Sequence, residues 1–141
     1  MKENYIITID GLQAQDGEES SVSLSTRGSY VCRNGKYYIS YEETEATGFA
    51  GCTTTVKVEQ NKKVSMLRYG PAPSQLIIES GKRHLCHYGT GEGSLMLGIS
   101  AGQIVNRLAP RGGHLEFSYT LDVNAVDVST NNVKITVREV Q

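Results

Sequence analysis

The chain has 141 residues, enough for one domain with a core of its own, and is rich in Gly (15) and Tyr (8) with no Trp. Fourteen basic residues stand against fifteen acidic ones for a net charge of -1, with no run of one sign, which speaks against a nucleic-acid or anionic-membrane surface. No apolar run nears the roughly 20 residues of a membrane-spanning helix, and the apolar stretch in MKENYIITIDG is too short for a signal peptide, so a cytoplasmic protein is expected.

Period-two alternation runs through nearly the whole chain, and no segment has helical periodicity. Strands are predicted at 4–15, 19–33, 36–45, 53–59, 63–70, 75–80, 84–90, 94–100, 103–108, 114–124 and 132–140. Turn signals separate them: DGE at 16, NG at 34, QNK at 60, GPAP at 70, GK at 81, TGEG at 90, AG at 101, APRGG at 109 and STNN at 129. Strands so evenly spaced predict an all-β fold. They imply one domain over residues 1–141, a closed antiparallel, mostly up-and-down β-barrel of about eight to ten strands.

Turn chemistry sets registers that can be checked against hydrophobicity. Asn34-Gly35 is the strongest short hairpin signal. It places Cys32 opposite Tyr37, Tyr30 opposite Ile39 and Gly28 opposite Tyr41, so that one face collects the apolar residues. A three-residue QNK loop then pairs Glu59 with Lys63, Val58 with Val64, Val56 with Met66 and Thr54 with Arg68. Arg68 thus falls on an apolar face near its far end.

The stretch RHLCHYGTGEGSLMLGIS has the ingredients of a metal site, a phosphate cradle or a thiol catalyst. With Gly91-Glu92 at the hairpin tip, Tyr88 faces Leu95, Cys86 faces Leu97 and His84 faces Ile99. His84, Cys86 and Tyr88 then point inward with the leucines, and Leu85 and His87 point out. His87 therefore cannot share a metal with His84 and Cys86. A phosphate loop opens a helix, whereas the SLMLGIS segment after these glycines reads as a strand. In EETEAT, Glu42 and Glu43 point to opposite faces and read as a solvated strand end. Cys52 has no helix start or base beside it to activate it. Three cysteines without close spacing fit a reducing compartment. No enzyme activity, metal or cofactor is expected.

The blocks TRGSYVCRNGKYYISYEE, TTTVKVE, MLRYG, HYGTGEGSLMLGIS and HLEFSYTLDVN occur in that order. Through Gly28, Tyr30, Tyr38 to Glu43, Arg68, Gly70, Tyr88, Thr90 and Gly93, the sequence resembles the YwiB-like family of small bacterial proteins. The resemblance spans nearly the whole chain. It implies a calycin-type barrel, similar in shape to lipocalins, and carries over no catalytic residue.

Such a barrel either holds one small ligand or is filled by its own side chains. The expected ligand is small and partly apolar or amphipathic. Its expected lining is Tyr30, Tyr37, Ile39 and Tyr41 from the first hairpin, with Val56, Met66 and Arg68 beyond it. His84, Cys86, Leu95 and Leu97 complete that lining. Arg68 has two readings: a clamp for a ligand carboxylate or phosphate, or a cap on carbonyls of the Gly70-Pro71 turn. The alternative function is an interaction module with a filled core, binding another protein or a second copy of itself as a homodimer, through outward Val31, Tyr38 and Leu85. The hairpin reading has a direct check. Gly35→Val is expected to cost about 1–3 kcal/mol in urea unfolding, because a β-branched residue resists positive φ, and a neutral result would mean a wrong register.

Overall fold

The computed structural model describes residues 4–90 and 93–140. Ten strands succeed one another: β1 (Tyr5–Gln15), β2 (Glu18–Arg33), β3 (Lys36–Glu42), β4 (Thr53–Glu59), β5 (Lys63–Tyr69), β6 (Ser74–Glu79), β7 (Arg83–Thr90), β8 (Gly93–Ala109), β9 (Gly112–Val123) and β10 (Val126–Glu139). A 3-10 turn, Glu45–Thr47, interrupts the β3–β4 connection. Each strand pairs antiparallel with its sequence neighbours, and β1 pairs with β10 from Tyr5↔Glu139 to Ala14↔Thr130, closing the barrel. Every connection after an odd-numbered strand therefore lies at one end, and every connection after an even-numbered strand at the other.

The turn chemistry acts as expected at the short hairpins. Asn34 and Gly35 both have positive φ (53° and 76°), the geometry that keeps two twisted strands in register. Tyr30 then faces Ile39 and Gly28 faces Tyr41. The three-residue loop gives Glu59↔Lys63 through Thr54↔Arg68. The seventh and eighth strands pair as His84↔Ile99, Cys86↔Leu97 and Tyr88↔Leu95, while the tip itself, Gly91-Glu92, lies outside the described residues.

Two predicted turns are not turns. Residues 94–100 and 103–108 form one strand, β8, because Ala101-Gly102 opens into a β-bulge and not a reversal. The hydroxyl of Ser118 accepts the Gln103 N–H at the bulge, and a Cβ on Gly102 would collide with that hydroxyl. STNN lies inside β10, and the reversal comes earlier at Asn124-Ala125. Ala125 carries an unfavourable positive φ (69°) that its N–H bond to Asp122 Oδ1 helps to hold. Ser129 and Asn131 point into the barrel and bond each other there.

Between β6 and β7 the paired register covers Ser74↔Tyr88 and Gln75↔His87. Further along, the Ile77 N–H is received by the Cys86 sulfur at 3.3 Å, so a thiol replaces a ladder carbonyl at this seam. The middle of the barrel is filled. Ile7, Ile39, Val56, Ile78, Ile99 and Leu115 are fully buried there. Gly28 is the tightest point of that filling: a Cβ would overlap both Ile7 Cδ1 and the Ser40 carbonyl oxygen, and backbone cannot move aside as a side chain can. Gly28→Ala is therefore expected to lower stability by about 1–3 kcal/mol through overpacking. Urea unfolding measures this, and an unchanged midpoint would contradict the close approach of β1, β2 and β3.

Candidate functional site

The filling stops short of the odd-connection end. A cavity of about 270 Å³ opens there. Tyr41, Thr54, Met66 and Arg68 wall it on one side, and Leu76, Tyr88 and Tyr119 on the other. The β3–β4 connection folds over its mouth and contributes Glu43, Thr47 and Phe49.

Arg68 is the side chain on which this end turns. It is only 8% exposed. Nε donates to the Ala72 carbonyl at 2.6 Å and Nη2 to the Gly89 carbonyl at 2.7 Å. Gly89 lets β7 come this close to the Gly70–Pro73 turn, since a Cβ there would overlap the Pro73 carbonyl oxygen. The guanidinium carbon lies 3.5 Å from the centre of the Phe49 ring and 5.0 Å from that of Tyr88. The two rings meet edge to face, their centres 6.4 Å apart. A cation against the electron-rich faces of two rings is stabilised where water is scarce. Among the described residues, no carboxylate lies within ion-pair distance of Arg68 and no group accepts from Nη1. Nor is any side-chain nitrogen or oxygen both buried and unpaired there, so Nη1 keeps accessible surface, and Arg68 is among the residues that line the cavity.

Glu43 is the other charge. The chain turns after Glu42, so Glu43 does not remain in a solvated strand end. Its carboxylate accepts from Thr54 Oγ1 at 3.0 Å and from Thr47 Oγ1 at 2.8 Å. These bonds tie the connection to the barrel wall. Burial, and then the Glu43 charge, raise the pKa of the Tyr41 phenol well above its ordinary value. Burial, reinforced by Tyr88, pushes Tyr119 up to about 12.

Of the expected lining, Tyr41, Met66 and Arg68 reach this cavity. Arg68 caps the Ala72 carbonyl of the Gly70–Pro73 turn, in line with the capping reading, and it also lines the space. Tyr30 does not line it. Its hydroxyl donates to the Ala109 carbonyl at 2.6 Å, and it packs with Tyr5 and Tyr37 at the opposite end. Ile39 and Leu97 belong to the filled core. His84 sits at the opposite end with Nε2 2.9 Å from Glu79 Oε1, and that bond lowers the Glu79 pKa. Cys86 is buried in the core and burial raises its thiol pKa, which opposes nucleophilic use. Leu95 faces Tyr88 in the register yet is 55% exposed, because it lies beyond the closed part of the wall. His87 is exposed on the other face, as its parity requires.

The sequence reading missed Glu43, Phe49 and Tyr119 as lining residues. Tyr119 had a signal, for it continues the Leu115–Phe117 alternation. Phe49 had none, because it lies in an irregular connection. A larger groove of about 390 Å³ crosses the outside of the sheet near Asp10, Ser23, Glu116 and Lys134. Its charges are already engaged, Asp10 by Ser23 at 2.7 Å and Lys134 by Glu116 at 3.8 Å, and no buried group is left open to it.

The family described as "Domain of unknown function (DUF1934)" matches residues 7–135, and the chain belongs to that family. The "Uncharacterized beta-barrel protein YwiB" of Bacillus subtilis (strain 168) is 26% identical over 138 residues, covering 96% of this chain and 95% of that protein. The crystal structure of the ywiB protein from Bacillus subtilis superposes with a TM-score of 0.84 at 23% identity, over 97% of this chain and 92% of the other. That likeness shows the same fold.

The buried phenols predict how stability varies with pH. Tyr30, Tyr41 and Tyr119 all have pKa values raised by burial. Each stabilises the fold as the neutral phenol. Their contribution is complete below the unfolded value of about 10 and is lost as pH climbs toward the folded values. The thermal midpoint is expected to fall steeply between about pH 10 and 12, with Tyr119→Phe flattening the decline. Thermal scans from pH 8 upward check this, and a wild-type midpoint flat to about pH 11.5 would contradict it.

Proposed function

We propose that this member of the DUF1934 family binds a small, partly apolar molecule in the cavity at the odd-connection end of its barrel. The observation that carries the reading is the contrast between a filled middle and a hollow, mixed-polarity end. Tyr, Thr, Met, Leu and Phe side chains surround that hollow, the composition of a site that orients an amphipathic molecule by a few polar groups. The up-and-down strand order supports a calycin-like grouping.

The chain acts in this reading as a binding protein and not as an enzyme. The cavity wall holds no His or Cys among the described residues. Its carboxylate, Glu43, is engaged by two threonine hydroxyls, and its phenols Tyr41 and Tyr119 are held neutral by burial. Three free thiols support a reducing, cytoplasmic setting.

A second reading rests on Leu85 and Met96, which are 65% and 56% exposed on the outer face of the adjacent strands β7 and β8. Such neighbours suit contact with another protein or a second copy. Native mass spectrometry of the freshly purified full chain separates the two. The ligand reading expects a monomer carrying a small noncovalent mass, or a cavity that takes up added medium-chain alcohol or acid in calorimetry. A ligand-free dimer that takes up neither would overturn it in favour of the interaction reading.

A further inference from the structure

We propose that the cavity's ligand is a compact organic anion whose carboxylate or phosphate group is received by Nη1 of Arg68. This rests on the reading above that the cavity binds a ligand, and it names that ligand's charge and size.

Taking a guanidinium out of water is costly unless its charge and its N–H groups are answered. Arg68 is answered in part. Two carbonyls take Nε and Nη2, and the Phe49 and Tyr88 rings lie against the guanidinium. The carbonyls and rings are neutral dipoles and quadrupoles, so the full charge is uncompensated by contact. Glu43 is the carboxylate in the wall, but it accepts from Thr47 and Thr54 and makes no ion pair with Arg68. The contrast with Arg83 is direct. That guanidinium reaches across Gly98 to both oxygens of Asp122, at 2.9 and 2.6 Å. The chain supplies Arg83 with a carboxylate and leaves Arg68, in the cavity wall, with no carboxylate and no acceptor at Nη1 among the described residues.

The N–H groups of a guanidinium all point outward in its own plane. Carboxylate and phosphate oxygens accept in that plane. The hollow sets the size. About 270 Å³ is the scale of a small molecule and not of a macromolecule. Octanoate, a medium-chain acid with about ten non-hydrogen atoms, is a probe of that scale. Met66, Leu76 and Phe49 then surround the uncharged remainder.

The test compares octanoate with octanol by titration calorimetry on the full-length wild type. Octanoate is expected to bind at least about tenfold more tightly, the range of a charge-assisted hydrogen bond in a dry site. Equal affinity overturns the anion while leaving the ligand-binding cavity standing. Binding of neither overturns the cavity reading itself, and this proposal with it. Arg68→Met is expected to erase the acid's advantage and spare the alcohol. Since Arg68 also holds Ala72 and Gly89, a folding loss in that variant is separated by Arg68→Lys, which keeps the charge and is expected to keep a preference for the acid. Loss of that preference in a folded Arg68→Lys protein, with octanol still bound, would overturn an electrostatic role. Octyl phosphate in the same series assigns the head group: tighter binding than octanoate points to a phosphate monoester, and weaker binding to a carboxylate.

Discussion

Closure of the sheet by β1 and β10 is the constraint on which the other features depend. Ten strands joined in a ring leave no edge strand, although the β6–β7 ladder is short, and the long β1–β10 pairing makes the first and last strands neighbours. Closure divides every strand into an inward and an outward row. It sends all reversals to two ends. It also means that polar chemistry inside the barrel must be satisfied locally, because water reaches only the ends. Fully buried aliphatic residues fill the middle, and of the buried polar residues those on the inward rows, Thr54, Arg68, Ser129 and Asn131, lie toward the odd-connection end.

The two ends solve that requirement differently. At the even-connection end, Tyr30 closes on the Ala109 carbonyl, Asn106 bonds to Gln60 and Asn61, and His84 meets Glu79. Partners from different strands answer one another directly. At the odd-connection end the partners stand around a space. Glu43 answers two hydroxyls and Arg68 answers two carbonyls, while a hollow separates the elements that carry them. The exposed inward-row residues Leu95, Val123 and Val126 continue the wall past its closed part, so this rim is apolar where the interior is polar.

Legibility in the sequence obeys the same division. The hairpins at Asn34-Gly35 and Gln60–Lys62 were readable because short loops impose register through local backbone geometry alone. Arg68 and Tyr41 were placed on the inner face by those registers. The bulge at Gly102 was not readable, since Ala-Gly is compatible with a turn and a bulge alike, and only the distant Ser118 hydroxyl selects between them. The turn at Asn124-Ala125 was missed for a similar reason: Ala is a poor left-handed residue, and the bond from Asp122 that holds it involves a residue also engaged by distant Arg83. Phe49 was beyond alternation entirely, because the irregular connection that carries it has no period to read, and alternation carried one residue too far made Glu43 a strand end when β3 stops at Glu42.

That pattern bears on how such a barrel can change function while keeping its fold. The residues that enforce closure are glycines and aliphatic side chains in rows, such as Gly28 against Ile7 and the Ser40 carbonyl. They depend on spacing and volume. The residues that decide what the hollow accepts come partly from a connection whose length is free of the ladder. Phe49 lies on Arg68 only because the chain between β3 and β4 is long enough to fold over the mouth, and Glu43 fixes it there through Thr47. A change in that connection would uncover or refill the guanidinium without disturbing a single strand pair. Arg68 itself cannot be altered so freely, since it holds the Gly70–Pro73 turn to β7 as well as facing the cavity. The same side chain thus couples the integrity of the barrel's end to the chemistry it presents there.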